Sequence, residues 1–109
     1  MTFARKESLT AEEKRFIELM QYINFGRIIG LIITRGKPSF NPPPRQVREI
    51  KFGGENGPRP EMSSSDFTMK TQVMELFEHF DRLADGTEVT IEVKYGLPFR
   101  MSVEETIQV

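Results

Sequence analysis

Phe16, Leu19, Met20 and Ile23 recur at three- and four-residue spacing while Lys14, Glu18 and Gln21 fall off that stripe, the pattern of a helix with one buried face. Thr10-Ala11-Glu12-Glu13 fits a capping box, in which the Thr hydroxyl and the Glu carboxylate each accept from a backbone N–H that the first turn leaves unpaired. The helix is therefore expected to start there and to end near Asn24, before Gly26. From Arg27 to Thr34 the pattern becomes a dense β-branched run that predicts a strand apolar on both faces. Simple alternation sets Ile29, Leu31 and Ile33 toward the helices and Ile28 and Ile32 toward the other side. Arg35-Gly36-Lys37-Pro38 breaks the strand.

The segment 38–46, PSFNPPPRQ, reads as a stiff extended connection, because consecutive prolines hold φ near about −65°. Val47 to Phe52 is a second, weaker strand candidate, and the Gly- and Pro-rich stretch 53–60 is a loop. Ser63-Ser64-Ser65-Asp66 offers N-caps for a second helix. In it Met69, Val73, Leu76, Phe77, Phe80, Leu83 and Ala84 share one arc, with Glu75, Glu78, Asp81, Arg82 and Asp85 opposite. Asp85-Gly86 is the expected stop. Thr87, Val89, Ile91, Val93 and Tyr95 then alternate with Glu88, Thr90, Glu92 and Lys94, the period of a half-buried strand. After a turn at Gly96-Leu97-Pro98, Phe99, Met101 and Val103 continue the alternation, so the two runs form a hairpin.

The order is helix, strand, strand, helix, strand, strand. It predicts a two-layer α+β domain, αββαββ, with an antiparallel four-stranded sheet and both amphipathic helices on one face. A faint internal echo points to an αββ pseudo-repeat: residues 18–23 (ELMQYI) resemble 75–80 (ELFEHF), and Gly36-Lys37-Pro38 parallels Gly96-Leu97-Pro98. One domain accounts for all 109 residues, with 1–9 as a polar N-terminal arm, 36–46 as a proline-rich loop and 53–65 as a Gly/Pro/Ser-rich loop.

With 38% hydrophobic and 28% charged residues the chain has enough apolar side chain for a core. The absence of Cys and the single His remove disulfide scaffolds, thiol nucleophiles and His-cluster metal sites. No charged region followed by an apolar stretch opens the chain, and the longest apolar run, Ile28 to Ile33, is far short of the ~20 residues that span a bilayer. A soluble, cytoplasmic protein without membrane contact is the expectation.

Charge changes the picture more than composition does. Residues 27–60 hold seven basic groups against Glu49 and Glu55, whereas residues 61–109 hold four basic groups against ten acidic ones. Either the two regions neutralise each other or they present faces of opposite sign. Arg35, Lys37, Arg45, Arg48, Lys51 and Arg59, interleaved with Phe40 and Phe52, are candidate anion or nucleic-acid contacts. Against that reading, no RNP-type motif, helix-turn-helix or zinc finger accompanies them, and the pI is 5.9. The loop at Gly53 to Arg59 has glycines that would admit a phosphate, but it lacks both Walker and dinucleotide spacings and carries Glu55. His79 reads as a boundary histidine, and Glu75, Glu78, Asp81 and Asp85 as a solvated helix face.

Taken together the sequence points to a small non-catalytic interaction module without cofactor or metal. It is expected to self-associate and to bind a protein partner through its Pro-rich and Gly-rich loops. The candidate interface comprises Ile28, Ile32, Phe40, Pro42, Pro43 and Pro44, with the proline segment and Phe40 or a second subunit covering the Ile28/Ile32 patch. The alternative is a nucleic-acid-binding module using the basic segment 27–59, and third comes a small enzyme acting on an anionic substrate through Arg59.

Overall fold

The computed structural model describes residues 9–53 and 66–107, and in the second stretch the side chains from residue 71 onward. Helix α1 (Ala11–Ile23) opens with the predicted capping box: Glu13 N–H donates to Thr10 Oγ1 at 3.1 Å and Thr10 N–H donates to Glu13 Oε1 at 3.0 Å. That reciprocal pair gives the buried Glu13 carboxylate a backbone donor at the start of the helix. Asn24, at a positive φ of 63°, ends the helix, its N–H donating to the Met20 carbonyl.

Strands β1 (Phe25–Thr34), β2 (Lys37–Ser39) and β3 (Arg45–Arg48), helix α2 (Asp66–Asp81) and strands β4 (Thr87–Lys94) and β5 (Leu97–Glu104) follow. The result is an α+β fold with an antiparallel sheet ordered β2-β1-β4-β5, and β3 pairing β1 beyond the end of β2. Five strands stand where four are expected, because the proline-rich connection joins the sheet at both of its ends. β2 pairs Ile32 to Thr34, and β3 pairs Gly26 to Ile29. Only 40–44, which carries a cis Asn41–Pro42 bond, lies outside the ladder. The strand expected over Val47 to Phe52 is β3, which runs earlier, over Arg45–Arg48.

Both hairpins turn through two residues of positive φ, Arg35 and Gly36 in one and Tyr95 and Gly96 in the other, the type I′ geometry that matches strand twist. The closing pairs are Thr34↔Lys37 and Lys94↔Leu97. In such a turn the closing pair exchanges hydrogen bonds, so the next residue points its nitrogen away from the partner strand. Pro38 and Pro98 occupy that position, where a missing N–H breaks no ladder bond.

A β-bulge at Gly30, with φ 77°, shifts the β1–β4 register between Ile29 and Leu31. It overturns the simple alternation expected for this strand. Ile28, Leu31 and Ile33 are fully buried on the helix side, and Ile29 and Ile32 lie half-buried on the other. Ile28 therefore belongs to the core and not to an interface.

The core is one cluster between the layers: Phe16, Met20 and Ile23 of α1, Leu76, Phe77 and Phe80 of α2, and Ile28, Leu31, Ile33, Val89, Ile91 and Val93 of the sheet. Phe80 sits at its centre, its ring 6.0 Å from those of Phe16 and Phe77. Met74, which the predicted arc omits, is buried as well, whereas Ala84 is exposed. α2 ends at Asp81, short of the expected Asp85-Gly86 stop, because Arg82 and Leu83 donate to the His79 and Phe80 carbonyls and tighten the last turn. Asp85 instead accepts the Arg35 N–H at 2.5 Å, tying the connection after α2 to the first hairpin turn. Among the described residues, no helix is long and apolar enough to cross a membrane.

Candidate functional site

The outer sheet face and the edge formed by α1 with β2 and β3 hold most of the predicted site residues. The outer face is a ladder of mixed charge: Arg27 stands opposite Glu92 across β1 and β4, and Glu92 opposite Arg100 across β4 and β5. Arg27 also lies 3.8 Å from Glu49, and Arg100 3.9 Å from Glu92. These pairs are solvent-accessible and each is worth little energetically, but they remove Arg27 from any free basic surface.

Neither the proline segment nor Phe40 covers this face, contrary to expectation. Phe40 packs at the margin of the core on the helix side, and the Arg15 guanidinium lies over its ring, 4.6 Å from the centroid. Pro42 and Pro43 are exposed and Pro44 half-buried, and Pro43 and Pro44 wall a small cleft of about 200 Å³ with Arg15, Leu19, Phe40 and Gln46. A broader cleft of about 620 Å³ continues from it between the start of α1 and the first hairpin, bordered by Glu12, Arg15, Arg35, Lys37, Phe40 and Asn41. The fold thus gathers four predicted contacts, Phe40, Arg35, Lys37 and Arg45, along one edge. It adds Arg15, which sequence reasoning missed.

Arg48 extends this edge toward the C-terminal end of α1, where its guanidinium lies 4.6 Å from the ring centroid of Tyr22. The signal for Arg15 and Tyr22 is present in the sequence: Arg15, Leu19 and Tyr22 are spaced i, i+4, i+7 and form a second stripe beside the core one. Among the described residues, neither Lys37 nor Arg45 has a carboxylate partner, and Glu12 is the acidic residue bordering the larger cleft. Lys51 is exposed beyond β3 and engaged elsewhere, while Arg59 and the loop from 54 onward lie outside the described residues.

The second half supplies less chemistry. His79 is exposed on α2, with its Nδ1 3.5 Å from a guanidinium nitrogen of Arg82. It borders a cleft of about 300 Å³ between α2 and β5, closed at one point by Gln72 Nε2 donating to the Pro98 carbonyl at 3.1 Å. Among the described residues, no three acidic or His side chains converge as a metal set. No protein-family model, curated protein or solved structure matches the chain. The reading of this edge therefore rests on its own geometry.

Proposed function

We propose that the protein is a small interaction module that grips an acidic protein segment in the cleft between α1 and the first hairpin. The observation that carries this reading is the grouping of Arg15, Arg35, Lys37 and Arg45 around an open trough, with no carboxylate on Lys37 or Arg45 among the described residues. A carboxylate-bearing chain laid there exchanges water for charge-assisted hydrogen bonds, and the half-buried Phe40 supplies an apolar floor.

Nucleic acid would draw on the same cations and is the competing reading. What favours protein is the state of the aromatic rings: Phe40 already stacks on Arg15 and Tyr22 on Arg48, so the rings that would receive bases are engaged. Fluorescence anisotropy with a labelled peptide of alternating Glu and Val, and with labelled single-stranded DNA of random sequence, separates the two. Peptide binding that weakens with salt and disappears in Arg35→Glu/Lys37→Glu is expected. Tighter binding of DNA transfers the site to nucleic acid, and no binding of either at low salt refutes an anionic ligand altogether.

A further inference from the structure

We infer that β3 is a self-pairing edge, through which two copies of this chain join their sheets about a two-fold axis at Val47. This inference shares Arg45 with the cleft reading but stands apart from it in test, since Arg35 and Lys37 border the larger cleft and the outward backbone of Gln46 does not. Glu49 N–H donates to the Phe25 carbonyl at 2.8 Å, and the register runs without a shift through Gly26↔Arg48, Arg27↔Val47, Ile28↔Gln46 and Ile29↔Arg45. Because hydrogen-bonded and non-bonded pairs alternate in an antiparallel ladder, Arg45, Val47 and Glu49 aim their backbone groups at β1. Gln46 and Arg48 aim theirs outward, and among the described residues no strand lies on that side. An edge of this kind is a template for another strand unless its side chains forbid it.

Among the antiparallel registers of two copies centred on Gln46, Val47 or Arg48, the side chains favour one. Placing Gln46 opposite Gln46 sets Pro44, which has no N–H, against Arg48. Placing Arg48 opposite Arg48 stacks like charges. Placing Val47 opposite Val47 pairs Gln46 with the partner's Arg48 and the partner's Gln46 with Arg48, making four backbone hydrogen bonds between outward groups. In that register Val47 meets its symmetry mate on the outer face, where non-bonded pairs bring side chains closest, and Arg45 stands directly opposite Glu49 of the other copy, twice. Arg45 has no carboxylate partner in its own chain among the described residues, and the pairing supplies one. On the helix side Tyr22, 57% exposed and carrying Arg48 on its ring, flanks the same edge and adds apolar area to a short strand contact.

Sedimentation equilibrium of the full chain from low micromolar to submillimolar concentration tests the proposal. A monomer–dimer equilibrium is expected. Arg45→Glu, at an exposed position, should weaken the dimer at least tenfold, and in an Arg27→Gln background, which removes the neighbour of Glu49 in its own chain, Arg45→Glu/Glu49→Arg should recover most of that loss by restoring the pair in reversed polarity. Gln46→Pro should abolish the dimer while its thermal unfolding stays cooperative, since the nitrogen it removes faces away from β1. A wild-type chain that stays monomeric across the range overturns the inference. So does a dimer that survives both Gln46→Pro and Arg45→Glu, or one that the charge reversal fails to rescue.

Discussion

The two hairpins turn alike, at φ 54° and 75° for Arg35–Gly36 and 56° and 74° for Tyr95–Gly96, yet β5 follows β4 for eight residues whereas the strand after Gly36 splits into β2 and β3. The difference traces to Pro42, Pro43 and Pro44, which have no N–H to donate across the strand. The displaced residues lie opposite the stretch of β1 that holds Gly30, so the break in the edge and the bulge against β4 fall at one level of the sheet. One irregularity makes the clefts beside Phe40, and the other re-aims the isoleucines. The second half has no such split: β5 stays on β4 from Leu97 to Glu104, with one register shift at Phe99 between the pairs Val93↔Pro98 and Glu92↔Arg100, and Gln72 holds the chain at Pro98. The lesson is that a shared turn fixes where a hairpin begins, while the residues beyond it decide whether its edge is smooth or recessed.

The bulge predicts the largest effect. Ile28→Ala removes a fully buried side chain and should cost about 3–4 kcal/mol, whereas Ile32→Ala, on the half-buried outer face, should cost about 1–2 kcal/mol. Urea unfolding of the two variants measures the gap. Equal losses would mean that β1 carries no bulge in solution and that the two halves are more alike than the register shows.

That contrast also marks the limit of what the chain discloses by itself. The capping box at Thr10, the alternation from Thr87 to Lys94 and the turn at Arg35–Gly36 are local chemistry, legible because a few neighbouring residues decide each one; the second turn falls at Tyr95–Gly96, ahead of the expected Gly96-Leu97-Pro98. The face of β1 is not local. Ile28, Ile29, Leu31, Ile32 and Ile33 offer no polar residue to mark the outside, and the bulge at Gly30 is defined by its register against β4. β3 was hidden for the opposite reason: Arg45, Gln46 and Arg48 are polar, and the strand exists because β1 presents an unpaired flank below β2. Of the candidate site, the cations were visible as a cluster in sequence. For Arg15 only a stripe with Leu19 and Tyr22 is legible, since its place beside Phe40 depends on how α1 lies against an edge 25 residues further along the chain.

The next effect belongs to the junction that only the first half has. Gly26, at φ 153°, lies so close to β3 that a Cβ there would overlap the Val47 carbonyl oxygen, which is backbone and cannot rotate away. Gly26→Ala should cost about 2–3 kcal/mol, the order of a strained φ/ψ position, and should act locally by prising β3 from β1. Hydrogen exchange at the Val47 and Glu49 amides reads this directly: their protection should collapse while that of β4 changes little. If β3 also carries the dimer contact, the same variant should be monomeric.

Gly30→Ala completes the comparison with the smallest change. Gly30 shares the positive φ, 77°, but its missing Cβ would point into space, the nearest atom being the Glu88 carboxylate oxygen at 3.8 Å. The cost should therefore be conformational only, about 1 kcal/mol, and visible as a melting temperature lowered by about 4–8 °C. The ordering of the two glycines is the sharper quantity, because both substitutions remove the same backbone freedom from the unfolded chain and differ mainly in what the new methyl meets. A Gly30 variant as damaged as the Gly26 variant would place the bulge under tighter packing than an open position allows. A Gly30 variant without any loss would mean that β1 passes β4 in regular register.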